Sequence, residues 1–139
     1  MIRISKSVDE TVDIGAGVAK KLKAGDVVAL IGNLGAGKTV LTKGIARGLG
    51  VKNVRYVNSP TFVIIKEHKG RIPLYHLDVY RLNRSNMLDS GSYEEYFYGD
   101  GVTVIEWADK IRKILPKKYI EIKLSAAGEG KRRIIIRRK

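Results

Sequence analysis

The sequence predicts an α/β domain: a mainly parallel sheet with helices on both faces and antiparallel strands added at an edge. Three observations carry this expectation. Apolar runs that read as buried strands alternate with segments of helical spacing. One such strand–helix pair flanks Gly32-Asn33-Leu34-Gly35-Ala36-Gly37-Lys38-Thr39, which matches G-x-x-x-x-G-K-[ST], so the fold expected is of the phosphate-loop NTPase kind. The chain then closes on two alternating stretches around Gly128 and Gly130, the pattern of a hairpin.

Taken in order, residues 1–5 begin like a short strand. Residues 9–22 place Val12, Ile14, Val18, Ala19 and Leu22 at the spacing of an amphipathic helix, with Ser7 and Asp9 as alternative caps. Gly25-Asp26 turns the chain into an apolar strand at 27–31. After the glycine loop, Val40, Leu41, Gly44, Ile45 and Leu49 recur at helical spacing, and Gly48 and Gly50 supply stop signals. Residues 54–57 and 62–66 read as short strands, and Lys69-Gly70 turns into an apolar stretch at 72–77. A less regular helix is expected over 86–98, a compact strand over 102–105, and a short helix over 108–115 ended by Pro116. Residues 119–124 and 133–137 form the closing hairpin.

The length of 139 residues suits one domain spanning 1–139. There is no cysteine, which excludes disulfides and thiolate metal sites. No segment resembles a membrane span or a secretory signal, so no membrane partner is expected and the expected compartment is the cytoplasm. The net charge of +13 is unevenly spread. Between residues 110 and 139 twelve Lys or Arg face only Glu121 and Glu129. That excess reads either as a solvated surface or as a basic face for RNA or an acidic protein. No recognisable RNA-binding motif accompanies it, and the aromatics do not interleave with the basic residues.

The glycine loop carries the chemistry. Gly35 and Gly37 lack a β-carbon, so the backbone there can curl and turn its N–H groups toward an anion. The helix that begins near Lys38 aims its positive end at the same place. Lys38 can reach the β- and γ-phosphates of a nucleotide, and the Thr39 hydroxyl can ligate Mg²⁺. The nucleotide-binding segment is therefore Gly35, Ala36, Gly37, Lys38, Thr39 and Val40. Hydrolysis also needs carboxylates, which in parallel α/β sheets stand at the carboxyl ends of strands. Glu106 follows the strand at 102–105 directly, as in a Walker B segment, and Asp78 follows the apolar stretch before it in the same way. Either can hold Mg²⁺ or cap the element that follows. In Ser59-Pro60-Thr61-Phe62 the Thr61 hydroxyl can sense a γ-phosphate, although an ordinary turn is the simpler reading. His76 reads as a packed or hydrogen-bonded core histidine and His68 as solvated. Trp107 is either core or a stacking surface. Arg81 and Arg84 can touch phosphates, although a surface pair is the commoner role for an Arg near a helix start, and no residue stands out as an arginine finger.

Four blocks occur in order: the glycine loop at 32–39, Ser-Pro-Thr-Phe at 59–62, Tyr-His-Leu-Asp-Val-Tyr-Arg-Leu at 75–82 and Ile-Glu-Trp at 105–107. With Gly-x-Gly-x-Arg at 128–132, they make the chain resemble, over nearly its whole length, the TsaE (YjeE) family, the ATPases of bacterial threonylcarbamoyladenosine tRNA modification. The resemblance implies a protein that binds ATP and Mg²⁺, hydrolyses ATP weakly alone and docks on a TsaD–TsaB heterodimer. It then supports repeated turnover of the transferase and meets tRNA indirectly; the basic C-terminal segment is more than the family pattern requires and leaves a direct tRNA contact open. Carried over to this sequence, Lys38 binds phosphate and Thr39 and Glu106 hold the metal. Asp78 acts at the γ-phosphate or its water, so Lys38, Asp78 and Glu106 are the catalytic candidates. Thr61 lies in a switch-like loop, and Trp107 and Gly130 lie toward the nucleotide or the partner. Asn33 stands where many relatives have Asp, and Ala108 where many have Pro. Two other readings of the residues are a small phosphate-loop kinase and a nucleotide-gated binding module that needs no hydrolysis.

Overall fold

The computed structural model describes residues 1–33, 35–58, 65–80 and 96–139. Seven strands form one sheet: β1 (Ile2–Ser5), β2 (Val27–Ile31), β3 (Ile65–His68), β4 (Leu74–Asp78), β5 (Val102–Glu106), β6 (Ile120–Ala126) and β7 (Arg132–Arg138). Their order across the sheet is β1-β7-β6-β2-β5-β4-β3. The central pairs β6–β2, β2–β5 and β5–β4 are parallel, while β1–β7, β7–β6 and β4–β3 are antiparallel. The antiparallel additions stand at both edges, not at one. β2 and β5 are apolar along almost their whole length because both faces are covered, the composition that central parallel strands need.

Two α-helices cover one face. In α1 (Val8–Ala19) the cap is Ser7, whose side chain accepts a hydrogen bond from the Glu10 amide. Glu10 reaches back to the Lys6 amide at 2.6 Å, so Ser-Val-Asp-Glu works as a reciprocal cap. The helix stops short of residue 22. The Lys21 and Leu22 amides bond to the Val18 and Ala19 carbonyls in a tighter final turn, and Leu22 stays buried. Helix α2 (Lys38–Gly48) crosses α1 at a close approach between Gly15 and Gly44. A β-carbon on Gly44 would lie 2.2 Å from the Val12 carbonyl oxygen. Behind these helices a single cluster joins Leu41, Ile45 and Leu49 of α2 to Val28, Leu30, Val104, Ile122 and Ile134 of the sheet. A second cluster on the opposite face joins Phe97 and a 3-10 helix (Ala108–Ile114) to Val27, Ala29, Leu77 and Ile105.

Three sequence expectations shift. Residues 54–57, expected as a strand, instead form a 3-10 helix (Val54–Tyr56). Asn53 enters it in the left-handed region at φ 58, and the Tyr56 and Val57 amides bond three residues back. The helix expected over 108–115 is a 3-10 element kinked at Ile111, and it ends at Leu115 in the extended conformation that a following proline favours. The strand expected over 62–66 is β3, from Ile65 onward. Residues 62–64 and most of the helix expected over 86–98 lie outside the described residues, and Tyr96 and Phe97 are helical.

Candidate functional site

The carboxyl ends of β2, β5 and β4 lie side by side, and the register puts Leu30 opposite Glu106 and Glu106 opposite Asp78. The chain leaves β2 into the glycine loop. Gly35 (φ 80) and Gly37 (φ 101) take backbone conformations that residues with a β-carbon avoid. Gly37 is the N-cap of α2, and that helix start has no side-chain cap, so its amides point into the loop's hollow.

Three predicted residues meet there. Lys38 is 5% exposed, and its ammonium donates to the Gly32 and Asn33 carbonyls at 2.6 and 2.9 Å. Thr39 Oγ1 donates to Glu106 Oε1 at 3.0 Å. Glu106 is 2% exposed, and its other oxygen lies 2.5 Å from His76 Nε2. Asp78 stands one strand over, where its Oδ1 accepts from the Tyr80 amide at 2.9 Å. Burial pushes the Lys38 ammonium below its ordinary pKa, opposed first by the charge of Glu106 and then by those of Asp78 and Asp109. The site is thus a desolvated cation facing one buried carboxylate, Glu106, with Asp78 half-buried beside it, an arrangement typical of functional centres.

Trp107 follows Glu106 at φ 62, a left-handed conformation rare for so bulky a residue. This bend swings the indole back over the loop. The Lys38 ammonium lies 4.0 Å from the ring centroid, within cation–π range. The indole also packs against Tyr80, with centroids 4.7 Å apart, and Lys110 lies 4.5 Å from the Tyr80 ring.

Ala36 is buried in the loop and Val40 lies in the first turn of α2. Gly130 sits exposed in the turn between β6 and β7 (φ 69), while Thr61 lies outside the described residues. One residue of the site escaped sequence reasoning. Arg132, two positions after Gly130, donates from its guanidinium to the Gly35 carbonyl at 3.2 Å. The signal that pointed at it was its place at the end of Gly-x-Gly-x-Arg. His76 is fully buried and hydrogen-bonded, as its place in an apolar run predicts; only the identity of its partner, Glu106, lies beyond the sequence.

Among the described residues no three His, Asp or Glu side chains cluster closely enough to hold a metal by themselves. The donor set suits a hard cation that takes one or two carboxylates, a hydroxyl, water and ligand phosphates, which is the habit of Mg²⁺. Backbone amides and a helix start suit the phosphates themselves.

The family profile described as threonylcarbamoyl adenosine biosynthesis protein TsaE matches residues 5–134. A Bacillus subtilis protein named tRNA threonylcarbamoyladenosine biosynthesis protein TsaE is 47% identical over 127 residues, covering 91% of this chain and 78% of the relative. A Treponema pallidum protein of the same name is 40% identical and covers 96% and 97%. The crystal structure of YdiB from Bacillus subtilis superposes with a TM-score of 0.81 at 41% identity, covering 96% of this chain and 82% of that one.

Proposed function

The chain belongs to the TsaE family, and from that premise we propose that it is the ATP-binding and hydrolysing component of tRNA threonylcarbamoyladenosine biosynthesis, supporting turnover of a TsaD–TsaB transferase. The single observation that carries this reading is the convergence of Lys38, Thr39 and Glu106 at the hollow of the glycine loop.

On this reading the amides from Gly35 to Val40 cradle the phosphates of ATP. Lys38 leaves the Gly32 and Asn33 carbonyls, which hold it pre-oriented, and turns to the β- and γ-phosphates. Thr39 and Glu106 would hold Mg²⁺, which would supply neutralisation of the charge on the phosphate oxygens. His76 keeps Glu106 in place. Asp78 accepts a hydrogen bond from the attacking water. Trp107 supports Lys38 from behind, and Arg132 with the nearby Gly130 turn borders the loop on the β6–β7 side. Thr61 remains assigned to a switch-like loop. The guanidinium of Arg132 is engaged by the Gly35 and Lys131 carbonyls. Among the described residues, the arginine that touches the glycine loop is thus held by backbone carbonyls, which on this reading is a physical reason for slow hydrolysis by the isolated chain and faster hydrolysis once a partner docks. No helix among the described residues is long and apolar enough to cross a membrane, and the compartment we assign is the cytoplasm.

The test is phosphate release from MgATP with and without TsaD–TsaB. Stimulation by the heterodimer, lost in Lys38→Ala, is the expected result. A folded wild-type chain that shows no stimulation overturns the reading.

A further inference from the structure

The sheet face opposite α1 and α2 carries the second core cluster over β2, β4 and β5, and among the described residues that cluster does not extend to β7 and β1. Cross-strand partners project to the same side of a sheet. The register therefore aligns Ile2, Ile135 and Lys123 in one row, Ile4, Arg133 and Ser125 in the next, and Arg137 with Glu121 in a third. Ile2 is 64% and Ile4 44% exposed, and Ile135 belongs to neither core cluster. Lys123, Arg133 and Arg137 are exposed. The one carboxylate in these rows, Glu121, is buried and faces Arg112 at 3.2 Å and Lys123 at 3.7 Å. Its charge is directed inward, which leaves Glu129 as the only exposed acid between residues 110 and 139. The face thus presents cations around an aliphatic centre.

That anatomy decides between partner classes. Exposed aliphatics ringed by arginine are the makings of a protein interface. Single-stranded RNA is gripped by aromatic platforms on which bases stack, and these rows contain no aromatic residue. We propose that this face, centred on Ile2, Ile4, Ile135, Arg133 and Arg137, docks a protein surface whose acidic rim surrounds an apolar centre, carried by the transferase heterodimer. The proposal rests on the functional reading above and adds to it the face used. Arg133 adjoins Arg132 in β7, but successive strand residues alternate faces, so the Arg132 guanidinium at the Gly35 carbonyl projects to the other side of the sheet and a partner seated on this face meets the sheet away from the α2 side.

The experiment measures binding of purified TsaD–TsaB to the full chain by calorimetry at low and high salt, alongside two double variants, Arg133→Glu with Arg137→Glu and Ile2→Ser with Ile4→Ser. The altered side chains are exposed or at the sheet edge, and melting curves check that both variants fold. The expected result is about tenfold or greater weakening in each variant and weaker wild-type binding at high salt. Variants that bind as tightly as wild type overturn the face while leaving the functional reading intact. A wild-type chain that does not bind the heterodimer overturns both. If the charge-reversed variant loses affinity for tRNA yet keeps the heterodimer, the occupant is RNA and the proposal fails. It fails equally if the wild-type chain self-associates in sedimentation and the isoleucine variant is monomeric.

Discussion

His76 Nε2 lies 2.5 Å from Glu106 Oε2, with both side chains sealed inside the sheet. The two residues sit on adjacent parallel strands, His76 opposite Val104 and Glu106 opposite Asp78. His76 Nδ1 has no hydrogen-bond partner among the described residues. Placing a proton there would bury an unpaired N–H, so Nε2 is the donor and Nδ1 the bare lone pair. Glu106 thereby receives one hydrogen bond from the imidazole and one from Thr39. The histidine fixes the carboxylate's rotamer from behind while the hydroxyl meets it from the front, the relation of an outer partner to a metal ligand.

The first prediction follows. His76→Ala should raise the Mg²⁺ concentration needed for half-maximal ATP hydrolysis by about 10–100-fold, the usual cost of losing such a partner. His76→Gln, which keeps a donor, should recover part of the loss. A merely structural histidine predicts lower stability in both variants with an unchanged Mg²⁺ dependence in the folded fraction. A Mg²⁺ titration of each variant separates the two.

The second prediction concerns Lys38. Its ammonium is held below its ordinary pKa of 10.5, with burial as the main cause. Between the lowered value and 10.5 the unfolded chain binds more protons than the folded one, so this group's contribution to stability rises with pH across that interval. Below it, the charged lysine costs the fold free energy. Lys38→Met should therefore melt at a higher temperature than wild type at neutral pH, and the gap should close as the pH approaches 10.5. The same variant should bind ATP more weakly than wild type. Equal melting temperatures throughout that pH series would mean that the two carbonyls and the indole offset the desolvation in full.

Much of this site was legible because its signals are local. The spacing of Gly32, Gly37, Lys38 and Thr39 implies a loop between strand and helix, and that is where they lie. Glu106 and Asp78 were placed by the habit of carboxylates to end parallel strands, and the register puts them opposite one another. What escaped depends on pairing between distant segments. His76 and Glu106 are 30 residues apart, and Arg132 and Gly35 are 97 apart. Only strand order and register bring them together, and composition encodes neither. The misreading of residues 54–57 has a different cause. Val54, Tyr56 and Val57 have strand propensity, but the left-handed Asn53 starts a turn whose hydrogen bonds close locally.

The third prediction uses the chain's single tryptophan. The Lys38 ammonium lies over the Trp107 ring, and a positive charge against an indole perturbs its emission. If MgATP draws Lys38 toward its phosphates, nucleotide binding should change Trp107 fluorescence with a saturable dependence on concentration. Lys38→Met should show an altered starting intensity and no response. A response retained in that variant would show that Trp107 reports contact with the nucleotide and not the movement of Lys38.

The fourth prediction tests the scaffold that holds the loop. On Gly44 a β-carbon would meet the backbone of α1: the Val12 oxygen at 2.2 Å, the Val12 carbonyl carbon at 2.9 Å and the Gly15 Cα at 3.0 Å. No side chain can swing aside, so α1 and α2 must separate and loosen the cluster behind Leu41 and Ile45. Gly44→Ala should cost about 1–3 kcal/mol, the range for overpacking a tight contact. Gly17 is the counterpart: it lies exposed on α1 and a β-carbon there meets nothing within 4 Å. Helix propensity alone acts at that position, so Gly17→Ala should stabilise by about 0.5–1 kcal/mol. Urea unfolding of the two variants reads the contrast directly. Shifts of the same sign would mean that the helices part more easily than these distances imply, and that α2 is not held rigidly enough by α1 to set the position of Lys38 and Thr39.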